Sequence, residues 1–134
     1  MSVRIVRGFP PNIDAIRARL NPGPRAVYAY GDTIYSPSGT NLPPDLVRHE
    51  ETHFAQQQRI GGPDAWWEKY LSDPAFRLEQ EIEAYRAQYE MLALLSRKER
   101  RQRLAHICKS LSSAMYGRLV TAEQARALIA GSAS

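Results

Sequence analysis

Residues 43–62 read PPDLVRHEETHFAQQQRIGG, and this stretch decides how the rest of the chain is interpreted. Two prolines followed by Asp45 are typical of the first turn of an α-helix, and the closing glycine pair is a strong helix stop. The segment therefore predicts one continuous helix. His49 and His53 are four residues apart on it, so their side chains project from the same face, one turn apart.

The motif His49-Glu50-Glu51-Thr52-His53 has the spacing of a metal site built on a single helix. Two imidazole nitrogens can bind one zinc ion, and the carboxylate of Glu50 lies beside them, where it reaches a water on the ion rather than the ion itself. Two histidines alone bind zinc poorly, so the motif requires a third protein ligand from elsewhere in the chain.

A second helix, predicted from Asp73-Pro74 to about Leu95, carries the acidic candidates for that third ligand. Its apolar side chains recur every three or four residues and define a buried stripe. Glu81 falls at the edge of this stripe, whereas Glu83 lies further towards solvent. We therefore expect Glu81 to be the third ligand, with Glu83 as the second choice. The competing interpretation is that Glu81 only pairs with Arg77, one turn before it.

Strands are predicted in the N-terminal part of the chain. Residues 26–30 and 33–36 are rich in β-branched and aromatic side chains, and they flank Gly31-Asp32, a signal for a two-residue hairpin. Residues 2–9 alternate in the manner of a short strand, and a short helix is predicted after Pro10-Pro11. This part therefore predicts a small antiparallel sheet.

The whole chain predicts an α+β fold in a single domain, residues 1–134, because 134 residues leave little room for a second core. Within it we distinguish three parts by composition. They are the strand-rich residues 1–42, the metal-site helices of residues 43–95 and a basic helical part, residues 96–134. Near the C-terminus, Thr121 to Gln124 form a capping box that predicts the start of a last helix.

Two motifs match a known pattern, His49-Glu50-x-x-His53-x-x-Gln56 and Glu81-x-x-Ala84. They resemble the gluzincin pattern of zinc peptidases, in which the third ligand is a glutamate followed three residues later by alanine. The chain is most similar to small zincin-like proteins of bacteria and phages, and the resemblance spans about residues 33–89. Many members of that family place aspartate after the alanine, where this chain has Tyr85.

The resemblance implies a zinc-dependent metallopeptidase with His49, His53 and Glu81 as ligands and Glu50 as the general base. It also implies that the strand around residues 33–36 borders the cleft and can pair with an extended peptide. The substrate is then a peptide or a protein. A further hydrogen-bond donor usually stabilises the oxyanion in such a reaction, and Tyr85 and Tyr70 are the candidates in this chain.

Three alternatives remain open at this stage. The chain can be a catalytically inactive zincin-like structural or assembly protein, of a phage or prophage, although a structural site has no need of Glu50. It can be a metal hydrolase that does not act on peptides. It can also bind nucleic acid or another acidic partner through Arg97 to Arg103.

The charge distribution supports the third alternative only in part. Residues 97–134 hold eight Lys/Arg and two Asp/Glu, whereas residues 1–96 hold 10 and 12, so the excess behind the net charge of +4 lies in the C-terminal part. No aromatic side chains interleave with these cations, as base stacking would require, and a solvated helix face is the simpler interpretation. His106, in the same helix, is expected to be solvated.

The composition also predicts a location. Cys108 is the single cysteine, so no internal disulfide can form, and we expect a buried thiol in a reducing, cytoplasmic compartment. A phage- or prophage-encoded product would look the same. No apolar run approaches the roughly 20 residues that a membrane span requires.

Overall fold

Six helices and a three-stranded sheet form the structure, a computed structural model that describes residues 3–39 and 41–131. The strands are β1 (Arg4–Val6), β2 (Tyr28–Tyr30) and β3 (Thr33–Tyr35). The helices are α1 (Ile13–Arg19), α2 (Pro44–Ile60), α3 (Pro63–Ser72), α4 (Pro74–Glu90), α5 (Arg97–Leu111) and α6 (Ala122–Ala130). The predicted α+β class, with strands at the N-terminus and helices after them, is confirmed.

The sheet has the strand order β1-β3-β2, so β3 is the central strand. β2 and β3 form the predicted antiparallel hairpin, and Gly31 in its turn has a left-handed φ of 60° that a two-residue turn favours. β1, however, pairs with β3 in parallel, so the sheet is mixed and not antiparallel throughout. The physical reason is α1, which lies between β1 and the hairpin and provides the crossover that parallel pairing needs.

The ends of α2 and of the last helix agree with the sequence signals. α2 begins at Pro44 and ends before Gly61, whose φ of 105° only glycine adopts without strain. Thr121 and Gln124 form the predicted capping box of α6. α4 is shorter than predicted, because a 3₁₀ turn (Met91–Leu94) follows it and Ser96 caps the N-terminus of α5 by accepting a hydrogen bond from the backbone of Glu99.

The face of α4 that packs against α2 is largely polar. The prediction centred this face on the apolar side chains and placed Glu81 at its edge, whereas the structure places Glu81 at the centre. The apolar pattern misplaced the face because α2 presents polar partners, so the most apolar side of α4 is not its most buried side. The buried residues of α4 are Arg77, Glu81, Ala84, Tyr85 and Gln88.

The apolar core packs directly against the two histidines of α2. Trp66, Trp67 and Tyr70 of α3 are buried in it, together with side chains of α5 and α6. Cys108 is a buried free thiol and His106 is exposed, as predicted for both. Within the described residues, no helix combines the length and the apolar character needed to cross a membrane.

Gln57 joins the hairpin to α2. Its side chain is fully buried, its Oε1 accepts a hydrogen bond from the backbone N–H of Gly31 at 2.7 Å, and its Nε2 donates to the carbonyl of Ala29 at 2.8 Å. Trp67 donates to the same carbonyl at 3.0 Å. These bonds satisfy the outer edge of β2 and hold the hairpin against the helix that carries the histidines.

We therefore expect Gln57→Ala to lower the free energy of unfolding by about 2–3 kcal/mol, because the buried hydrogen bond to Ala29 and the acceptor of the Gly31 N–H are lost and a cavity forms. Urea unfolding followed by circular dichroism measures this change. Gln58→Ala is the matched control, since Gln58 is exposed on the same helix, and a change within about 0.5 kcal/mol is expected there. Equal losses in the two variants would contradict the role of Gln57.

Candidate metal centre

His49, His53 and Glu81 meet between α2 and α4, as the sequence predicts. The Nε2 atoms of His49 and His53 each lie 3.1 Å from a different oxygen of the Glu81 carboxylate. The ligand atoms of the three residues are all within 4.8 Å of one another, and all three residues are buried, with exposed fractions of 2–4%. Two turns of α2 and the centre of the buried face of α4 therefore form one compact donor group.

This group fits a metal ion by its spacing and its donor atoms. Ligands about 2.0–2.1 Å from a tetrahedral zinc ion lie roughly 3.4 Å from each other, close to the observed nitrogen–oxygen distances. Two buried polar atoms, Nδ1 of His49 and Oε1 of Glu81, have no hydrogen bond of acceptable geometry, although that oxygen contacts Nε2 of His49. Within residues 3–39 and 41–131 this is the one such donor group, and it can hold a metal ion.

The competing interpretation of Glu81 as an ion-pair partner of Arg77 is wrong. Arg77 instead donates hydrogen bonds to two backbone carbonyls, that of Tyr70 at 2.7 Å and that of Tyr116 at 3.0 Å. Glu81 receives a hydrogen bond of 2.6 Å from the hydroxyl of Tyr70. The guanidinium therefore braces the chain around the group without neutralising its carboxylate.

Glu83, the second choice for the third ligand, lies outside the donor group. Its carboxylate is half-exposed and forms an ion pair with Arg59, with both oxygens 3.0 Å from one guanidinium nitrogen. The same carboxylate accepts a hydrogen bond of 2.8 Å from Gln56. Glu83 follows Glu81 by two residues and therefore points away from the histidines, because residues two positions apart in a helix do not share a face.

Gln56 touches a ligand directly. Its Oε1 lies 2.7 Å from Nδ1 of His53, and its Nε2 donates to the backbone carbonyl of Gln80 at 3.0 Å and to Glu83. The side chain is buried, with an exposed fraction of 3%. The two neighbouring glutamines of α2 thus do different things, since Gln57 holds the hairpin and Gln56 holds a histidine.

Glu50 lies beside the donor group without belonging to it. Its Oε2 is 3.8 Å from Nε2 of His49, and its exposed fraction is 5%. Burial raises the pKa of its carboxyl, and the two histidines lower it by less. A carboxylate with a raised pKa next to the donor group is suited to accept and return a proton.

His53 and Glu81 shift each other's pKa. Burial alone would lower the pKa of His53, but the adjacent carboxylate of Glu81 outweighs it and raises that pKa to about 9. Burial alone would raise the pKa of Glu81, but the imidazoles of His53 and His49 hold it well below its usual range. Without a metal, the cluster is therefore an ion pair buried in the protein.

The predicted tyrosines occupy different positions around this cluster. Tyr70 donates to Glu81 and is thereby committed to a ligand. The ring of Tyr85 packs edge-on against His49, with ring centroids 4.3 Å apart, and its hydroxyl is hydrogen-bonded to that of Tyr116 at 2.8 Å. Sequence reasoning missed Tyr116, because it lies in a 3₁₀ turn (Ala114–Tyr116) far along the chain, where no local pattern points to the site.

A small cavity lies beside the donor group. Its volume of about 50 Å³ holds a few water molecules but not a peptide. Its lining combines the polar side chains of His49, Glu50, His53 and Glu81 with side chains from α1, α3, the segment before β2 and the turn with Tyr116. The donor group is thus reachable by water and closed to larger molecules in this conformation.

The expectation that the strand around residues 33–36 pairs with a peptide is wrong. β3 is the central strand, and both of its edges are used by β1 and β2. The strand segment that lines the cavity is instead residues 26–29, which includes the start of β2. The reason is the parallel addition of β1, which covers the edge that a simple hairpin would leave open.

Comparison with known proteins found no match to this chain. No family model matches the chain, and neither a curated protein nor a solved structure matches it. The donor group therefore has to be judged on its own geometry and chemistry, and the resemblance to gluzincins stays a hypothesis that experiments on this chain must test.

The buried ion pair makes a prediction about the metal-free protein. The pKa of His53 is raised from 6.5 to about 9, so its stabilisation is complete below about pH 6.5 and is lost as the pH rises through about 9. The lowered pKa of Glu81 adds stability that is present above 4.5 and lost as the pH falls. The ion pair should therefore stabilise the fold most between about pH 4.5 and 6.5.

Urea unfolding of the wild type and of Glu81→Gln in a chelating buffer, at pH values from about 5 to 9, measures this contribution. The difference in the free energy of unfolding between the two proteins should shrink as the pH approaches about 9. A difference that is independent of pH, or that grows towards alkaline pH, would contradict the assignment of the ion pair.

Proposed function

We propose that this protein is a zinc-dependent metallopeptidase that hydrolyses peptide bonds with Glu50 as the general base. The observation that carries the proposal is the buried donor group of His49, His53 and Glu81, with the carboxylate of Glu50 beside it and not in it. A site that only binds metal for stability has no use for a second, separate carboxylate at this position.

The donor set favours zinc over other common ions. Two imidazoles and one carboxylate are a frequent set for catalytic zinc, whereas magnesium and calcium prefer oxygen ligands alone. When bound, zinc polarises a carbonyl oxygen and lowers the pKa of water towards about 7. Three protein ligands would leave a fourth position for water, and all three of these residues line the water-sized cavity.

Proton transfer and stabilisation of the oxyanion are assigned to different residues of the chain. Glu50 takes the proton from the attacking water, and its raised pKa also lets it pass that proton to the departing amine. The Tyr85–Tyr116 hydroxyl pair is the remaining source of a donor for the developing oxyanion, since the hydroxyl of Tyr70 is bonded to Glu81. Of these hydroxyl-bearing residues, Tyr116 and Tyr70 line the cavity.

Substrate access needs a wider cleft than this conformation has. Apolar side chains of α1 and of residues 20–27 form a wall of the cavity. A peptide can reach the group only when this wall moves, which favours narrow specificity for one protein partner over general digestion. A peptide lying there would run beside residues 26–29, the strand segment that lines the cavity.

Metal content is the first test of the proposal. Elemental mass spectrometry of the purified protein, supplied with zinc, should find about one zinc ion per chain. His53→Ala and Glu81→Ala should each lose it, because two ligands bind zinc too weakly to survive purification. Circular dichroism checks that both variants are folded. Metal that is absent from the wild type, or indifferent to both changes, would overturn the site.

Glu50→Gln separates an enzyme from a structural metal protein. This variant keeps all three ligands and should retain zinc, while cleavage of a mixed peptide library falls by about 10²- to 10⁴-fold, because the general base is lost. Cleavage products are read by mass spectrometry. Zinc retained in both proteins without any wild-type cleavage would favour the inactive, structural alternative.

The basic segment supports a second candidate function, the binding of an acidic partner. Arg97, Lys98 and Arg101 are exposed, and within the described residues none of them is ion-paired with an acidic side chain. They crowd the N-terminal end of α5, where the helix dipole already disfavours positive charge. An anionic partner would relieve this repulsion, whereas Arg103 already contacts Asp45 at 3.5 Å.

Binding of labelled single- and double-stranded DNA at increasing salt tests this second function. If the segment binds nucleic acid, the logarithm of the affinity should fall linearly with that of the salt concentration, with a slope near the number of phosphates contacted. Replacing Arg97, Lys98 and Arg101 by Gln should remove that slope. Weak binding that the triple variant does not change would exclude nucleic acid as the partner.

A further inference from the structure

We propose that Gln56 is a positioning residue that fixes the tautomer of His53, so that Nε2 of this imidazole is the atom offered to the metal. We further propose that Glu83 and Arg59 hold Gln56 in the required orientation. This inference rests on the proposed metal site. It assigns a positioning function to Gln56, Glu83 and Arg59, none of which is a proposed metal ligand.

The orientation of the Gln56 amide follows from its partners. One end of the amide lies near two acceptors, the backbone carbonyl of Gln80 at 3.0 Å and the carboxylate of Glu83 at 2.8 Å. Only an NH₂ group can satisfy both, because an amide oxygen in that place would face two other oxygens. The oxygen of the amide must therefore be the end that faces His53, at 2.7 Å.

This orientation determines where the proton of His53 is. An amide oxygen accepts hydrogen bonds and cannot donate them, so Nδ1 of His53 must carry a hydrogen. The imidazole that binds a metal is neutral and has one N–H, and its other nitrogen then presents a lone pair. That other nitrogen is Nε2, which lies 3.1 Å from Glu81 and inside the donor group.

The same side chain also aligns the two helices that supply the ligands. Gln56 is one turn after His53 on α2, and its NH₂ group reaches across to α4 at Gln80, the residue before Glu81. A shift of α4 along α2 would break this contact and displace Glu81 at the same time. Gln56 thus couples the tautomer of one ligand to the position of another.

The two residues that orient Gln56, Glu83 and Arg59, lie at the surface and should contribute less to metal binding than Gln56 itself. Glu83 and Arg59 are half-exposed, with side-chain exposed fractions of 47% and 60%, so solvent screens their ion pair. Without Glu83, the backbone carbonyl of Gln80 still holds one hydrogen of the amide. We therefore expect a graded effect, large for Gln56 and smaller for Glu83.

His49 provides an internal contrast. Its Nδ1 is buried without a hydrogen-bond partner, so no residue among those described holds its tautomer in the way that Gln56 holds His53. The positioning function is therefore confined to one of the two histidines. Within a single protein, spectra that resolve the two rings can therefore compare His53, whose Nδ1 is hydrogen-bonded, with His49, whose Nδ1 is not.

Zinc affinity, measured by competition with a chromophoric chelator, tests the inference without reference to activity. Gln56→Ala should weaken binding by about 10- to 100-fold, the usual effect of removing a partner of a ligating histidine. Glu83→Ala should weaken it by less than about 10-fold. Gln57→Ala is the matched control: it is an equally buried neighbour that destabilises the fold and should leave the affinity unchanged.

Nitrogen-15 NMR of the zinc-loaded wild type gives the second readout. The spectra should show His53 bound through Nε2 with a proton on Nδ1, and Gln56→Ala should weaken or lose that protonated signal. Metal on Nδ1 in the wild type, wild-type affinity in Gln56→Ala, or an equal loss in Gln57→Ala overturns the inference. Zinc binding with this pattern but without peptidase activity overturns only the proposed function, and a wild type without zinc overturns both.

Discussion

The contact between the two histidines of α2 and the carboxylate of Glu81 on α4 is the constraint on which the rest of the structure depends. It places charged groups between two helices where exposed fractions are only a few per cent. Buried charge is costly unless it is paired and hydrogen-bonded, so the surroundings must supply partners. Tyr70 bonds to the carboxylate and Gln56 to one imidazole, while Arg77 braces the adjoining backbone.

Segments from several parts of the short chain surround this contact. α3 supplies an aromatic wall, in which Trp66 and Tyr70 stack beside His53, and Gln57 attaches the hairpin to the helix that carries the histidines. The cavity beside the donor group leaves room for water only.

Much of the structure could be predicted locally. Short patterns were sufficient to predict the start of α2 at Pro44, its end at Gly61, the hairpin at Gly31 and the capping box at Thr121. Each of these features depends on residues within one turn. The pairing of β1 could not be predicted, because it depends on a crossover that no short pattern reveals. The buried face of α4 was misplaced for a related reason: its partners are polar, and a hydrophobic stripe cannot locate a polar contact.

The sequence by itself determined that two imidazoles share one helical face and that the Glu50 carboxylate lies next to that face, since the four-residue spacing and the helix period suffice for that. It also narrowed the candidates for the third member of the donor group to the acidic residues of α4. Only the tertiary structure decided between Glu81 and Glu83, separated the roles of Gln56 and Gln57, and brought Tyr116 to Tyr85. Those decisions depend on which side chains from distant segments meet in space, and no periodicity within one element contains that information.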